Sequence, residues 1–105
     1  MKYLLVAILL ASVVAFTWCE AKSQDNFAPP VGYVPNADVA IKIAVAVWEP
    51  IYGAEHIANE KPFQAVLKDG VWTVQGSLPK GMKGGVALAE ISKADGRIIR
   101  VIHGK

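Results

Sequence analysis

Disulfide bonds are ruled out at the start. The chain has one cysteine, Cys19, and none after Ala21, so packing alone must hold anything that folds beyond that point. Histidine is almost as scarce, with only His56 and His103. Nucleophilic catalysis needs a Ser, Cys or Thr beside a base. Neither Ser77 nor Ser92 sits in such a motif, and the expectation is that the protein is not an enzyme. There is no HExxH and no cysteine pair with zinc-ligand spacing. His56 has Glu55 and Glu60 nearby, but adjacent residues on a helix point apart. That stretch reads as a solvated polar loop and His103 as an ordinary strand-end histidine, so neither a metal nor a cofactor is expected. Excess charge is lacking too. The formal net charge is +2, and the charges are scattered, which argues against a nucleic-acid partner.

The chain also lacks an apolar run long enough to span a bilayer. Tyr3 to Phe16 is almost unbroken but falls short of the roughly 20 residues a spanning helix needs. With Lys2 ahead of it and Cys19-Glu20-Ala21 behind it, the run reads as a signal peptide cut after Ala21. An uncleaved inner-membrane anchor is the alternative. A lipoprotein is disfavoured because Trp18, not a small residue, precedes Cys19. The organisation is then residues 1–21 as signal peptide, 22–35 as an extended linker and 36–105 as one small α+β domain. Pro29, Pro30, Gly32 and Pro35 give the linker its irregular character.

What is present is chiefly sheet. Pro62 to Ser77 holds two alternating segments around Asp69-Gly70, among the strongest short signals for a hairpin. That turn places Leu67 opposite Trp72, Ala65 opposite Val74 and Phe63 opposite Gly76, all on one apolar face. Val86 to His103 reads as a second hairpin. The pairing chemistry favours a three-residue loop, Ala94-Asp95-Gly96, with Gly96 in the left-handed conformation. Ile91 then faces Ile99, Ala89 faces Val101, and Glu90 meets Arg100 as a favourable charged pair.

One long helix precedes the sheet. In Ala37 to Tyr52, the apolar residues Ala37, Ala40, Ile41, Ala44, Val45, Trp48, Ile51 and Tyr52 recur at helical spacing. Asn36 suits the N-cap and Asp38 the positive end of the dipole. Pro50 should kink or stop the helix, and Gly53 is a terminator just beyond. Trp72 belongs to the core by register. Trp48 can be core or a partly exposed anchor. The glycine-rich Leu78–Gly85 connection resembles a phosphate loop only superficially, because a strand follows it where anion binding needs a helix N-terminus. The fold class is α+β: a signal segment, then one main helix packed on a four-stranded antiparallel sheet of two hairpins.

These residues, taken in order, resemble a known family. The fragments are Ala40-Ile41-Lys42-Ile43-Ala44, Trp48 to Gly53, Lys61-Pro62-Phe63, Asp69 to Trp72, Gly76 to Pro79, Lys83-Gly84-Gly85, Glu90 to Lys93 and Asp95-Gly96. Together they are similar to bacterial polymorphic-toxin immunity proteins with a nuclear transport factor two-like (cystatin-like) fold. The resemblance implies a protein that binds a cognate protein toxin and blocks it by stoichiometric occlusion, in the periplasm if the leader is cut. It implies no catalytic motif. The faces left free for a toxin are the sheet face opposite the helix, the Leu78–Gly85 loop and Tyr52–Glu60. The contact candidates are Glu49, Tyr52, Glu55, His56, Lys80, Met82 and Lys83. A periplasmic small-ligand or envelope-associated binding module is the alternative. A formed apolar pocket between helix and sheet would favour that module. A cluster of perturbed titratable groups in a cleft would favour an enzyme.

Overall fold

In a computed structural model of the chain, the described residues are 26–105. The signal segment, its cut after Ala21 and the start of the linker lie outside them. Their order is α1 (Ala37–Tyr52), α2 (Ala54–Ala58), β1 (Gln64–Lys68), β2 (Val71–Gln75), β3 (Ala87–Ser92) and β4 (Ile98–His103). The four strands form one antiparallel sheet in the order β1-β2-β3-β4. No helix among the described residues is long and apolar enough to cross a membrane.

Helix α1 begins where the Asn36 side chain accepts a hydrogen bond from the Val39 amide at 3.0 Å. Ala40, Ala44 and Trp48 recur every four residues and are fully buried. The helix does not stop at Pro50. It runs on to Tyr52 with Pro50 inside it, and Gly53 is its C-cap. The ring removes one N–H donor near the helix end, where little of the ladder remains to be lost.

The sheet presents Trp72, Val74, Ala87, Ala89 and Ile91 to α1 as its buried face. The β1–β2 register pairs Leu67 with Trp72 and Ala65 with Val74. Asp69 and Gly70 both have positive φ, 51° and 76°, the two-residue turn that the Asp-Gly pair favours. In the second hairpin Ala89 pairs with Val101 and Glu90 with Arg100, but Ile91 pairs with Ile98, not Ile99. The loop is one residue longer than the sequence suggests. Ser92 donates to the Arg97 carbonyl at 2.9 Å, leaving Lys93 to Gly96 as the connection. A bulge beside Ile91 absorbs the shift and restores the Glu90–Arg100 ion pair at 2.9 Å.

Trp48 is core. It is fully buried and packs at a tilt on Phe63, with ring centroids 5.8 Å apart. Asn26 to Pro35 holds no regular element, yet it is fastened to the domain. The Tyr33 and Val34 amides donate to Ala94 and Lys93, and the Trp72 indole donates to the Val34 carbonyl at 2.8 Å.

Candidate functional site

The chain turns sharply at Gly53, and α2 follows at once. Its short helix carries His56 on the open side and buries Ile57. Glu60 comes one turn after His56 and is 4% exposed, the one buried charged side chain among the described residues. Its backbone is held at both ends: its amide donates to the Ile57 carbonyl, and its carbonyl accepts from Ser77.

The Glu60 carboxylate divides its two oxygens between tasks. Oε1 accepts from the Ala87 amide at 2.7 Å, tying the group to the start of β3. Oε2 lies 2.8 Å from His103 Nε2 and 3.1 Å from His56 Nε2. The two imidazole nitrogens are 3.2 Å apart. His103 reaches this point because β4 alternates, which sends it to the same face as Val101. Tyr52, at the end of α1, packs on the His103 ring with centroids 5.0 Å apart. On the far side of that ring, Nδ1 lies 2.7 Å from the Gly104 carbonyl. A carbonyl only accepts, so Nδ1 is the donor.

The residue after β2 makes this arrangement possible. A Cβ built at Gly76 would fall 2.5 Å from Glu60 Oε1, so a side chain there would displace the carboxylate. The Glu60 carboxylate holds the His103 pKa above the ordinary imidazole range, the Gly104 carbonyl helps, and partial burial opposes both.

The three groups stand at one wall of a cleft of about 580 Å³. Leu78, Pro79, Met82 and Lys83 of the β2–β3 connection also line it. Of the seven contact candidates, His56, Met82 and Lys83 line this cleft, and Tyr52 touches it through His103. Glu49, Glu55 and Lys80 are exposed but are not among its lining residues. The cleft lies between α2 and the connection, not between α1 and the sheet.

Glu60 and His103 are the site residues that sequence reasoning missed. A signal for the first existed, since His56 and Glu60 are four apart and face the same way on one helical turn. The parity of β4 gave a weaker signal for the second. Chemically, a carboxylate and two imidazoles at contact distance can hold a proton or a cation. The Ser77 hydroxyl is committed to the Pro62 carbonyl at 2.6 Å.

Residues 39–105 match the family described as NTF2 fold immunity protein. A curated relative, "Uncharacterized protein YhhH" of Escherichia coli (strain K12), is 34% identical over 73 residues. The match covers 69% of this chain and 58% of that relative, so the chain spans less than two thirds of the relative's length. No solved structure matches.

Proposed function

The chain belongs to the NTF2 fold immunity protein family, and from that premise we propose that it binds a cognate bacterial toxin and blocks it by one-to-one occlusion. The observation that carries the choice of surface is the apolar rim of the cleft. Met82 is 61% exposed and Leu78 41% exposed, and both line the cleft with Lys83 and His56. Large apolar side chains flanked by polar ones mark protein contact sites. A standard interface takes about 800 Å² from each partner, so the contact would spread beyond the cleft. Glu49, Tyr52, Glu55 and Lys80 then serve as flanking contacts. Neutralisation is occlusive, with no bond made or broken by this chain. The leader, cut after Ala21, would release residues 22–105 into the periplasm, with 22–35 as linker and 36–105 as the inhibitory domain.

The test is co-expression with each toxin candidate encoded beside the gene, with the toxin exported to the periplasm. Rescue of growth and a purified one-to-one complex are expected, and Met82→Asp with Lys83→Glu should abolish both while leaving the circular dichroism spectrum unchanged. Rescue that survives this double variant removes the cleft from the interface. Toxicity undiminished by the wild-type chain in every pairing, with no complex formed, defeats the inhibitor reading.

A further inference from the structure

We propose that His56, Glu60 and His103 form a binding site for one divalent first-row transition metal ion of the zinc class, with its fourth position open to the cleft. This stands independently of the toxin reading, and it departs from the sequence expectation of no metal.

The geometry is that of one face of a tetrahedron. The three donor atoms form a triangle with sides of 2.8, 3.1 and 3.2 Å. Zinc bound to nitrogen and carboxylate oxygen at about 2.0–2.1 Å places neighbouring ligands roughly 3.3 Å apart. The triangle therefore needs to open by only a few tenths of an ångström. The two sides that meet at His56 need only about 0.1–0.2 Å, which its 56%-exposed side chain can supply. The 2.8 Å side between Glu60 and His103 must open by about 0.5 Å through those two side chains themselves.

The surroundings are those of a built site. His103 donates Nδ1–H to the Gly104 carbonyl, which turns Nε2 toward the triangle. Metal-binding histidines are almost always held this way by the second ring nitrogen. The proton that Nε2 shares with Glu60 at 2.8 Å is released to solvent as the metal takes its place. Glu60 is held through its other oxygen by the Ala87 amide, so its carboxylate is oriented independently of either histidine. The side chain of Glu60 is 6% exposed and turns Oε2 into the triangle. Two imidazoles and one carboxylate suit zinc and its neighbours in the first row. Calcium takes six to eight oxygen ligands and magnesium keeps its waters, so neither matches this set. Three protein ligands leave one coordination position for water or for a donor from whatever occupies the cleft.

The experiment uses untagged protein as the cell produces it, stripped with chelator and titrated calorimetrically with zinc chloride. Uptake of one zinc per chain is expected, with no heat from magnesium chloride. Cobalt(II) in place of zinc should give the intense visible absorption of a four-coordinate site. His103→Gln and Glu60→Gln should weaken zinc binding by about 100-fold or more, beyond the 10–100-fold that loss of an outer-shell partner costs. His56→Gln lies at an exposed position and tests the site even if the other two variants do not fold. It should abolish the zinc-dependent rise in Tm. No uptake by the wild-type protein overturns the proposal. So does uptake equal in wild type, His56→Gln and His103→Gln, which would mark an adventitious ion only.

Discussion

At the scale of single residues, Glu60 ties α2, β3 and the end of β4 together. Its backbone meets α2 and Ser77, and its side chain meets β3 and both histidines. A buried amide left without its acceptor costs about 1–3 kcal/mol. Glu60→Ala orphans the Ala87 N–H and should lower the free energy of unfolding by about 2–3 kcal/mol. In Glu60→Gln the amide carbonyl can still accept from Ala87, so the loss should be about half as large or less. Urea unfolding of the two variants checks this, and equal losses would mean that the Ala87 contact carries no stability. The centre built around Glu60 was hard to see in the sequence. His103 lies 43 residues from Glu60 and 47 from His56, and no local spacing connects the end of a strand to a helical turn so far away. Only the His56–Glu60 half was legible.

At the scale of elements, the first hairpin and α1 could be read almost to the residue. Local chemistry sets both: Asp69-Gly70 fixes a register, and Asn36 and Gly53 bracket a helix. The second hairpin was legible in its far pairs and not in its near ones. A loop longer by one residue and a bulge cancel each other before Glu90, and cancelling irregularities leave no trace in the alternation pattern. Asp95 explains part of that loop. Its carboxylate accepts from the Arg97 amide at 2.9 Å. That bond first, then one from Ser92, draws its pKa below 3.8 against the opposing effect of desolvation. A lowered folded-state pKa contributes stability at pH values above the unfolded pKa and loses it as pH falls through the folded one. The stability gap between wild type and Asp95→Ala should thus be constant near neutrality and shrink below pH 3.8. Thermal melts from pH 7 to pH 2 measure it, and a gap that widens in acid would contradict the hydrogen bond as its source. The ion pair of Asp95 with Arg97, at 3.6 Å and exposed, adds little.

At the scale of the whole molecule, one helix and one sheet share a single small core, and Trp48 is its largest fully buried side chain. Trp48→Ala should cost about 3–5 kcal/mol, against a total of about 5–15 kcal/mol for a typical domain. A substantial unfolded fraction at 37 °C is expected, visible by circular dichroism, whereas a variant as stable as wild type would place Trp48 outside the core. The overall architecture was legible because its parts are ordered as they pack: helix, then hairpin, then hairpin. The docking of Tyr33 and Val34 was not. It depends on backbone groups and on the Trp72 indole, and proline-rich composition says nothing about where such a segment comes to rest.

The strand order β1-β2-β3-β4 has a kinetic consequence. Each strand after the first pairs with its immediate predecessor in the chain, so no strand has to wait for a distant one before it can join the sheet. Contacts between close neighbours in sequence close with little loss of entropy, and chains rich in them reach the native state quickly. A polypeptide threaded end-first through a narrow channel can therefore lay down α1, then each strand in turn, as it emerges. The His103 side of the cleft closes last, when the final strand is in place.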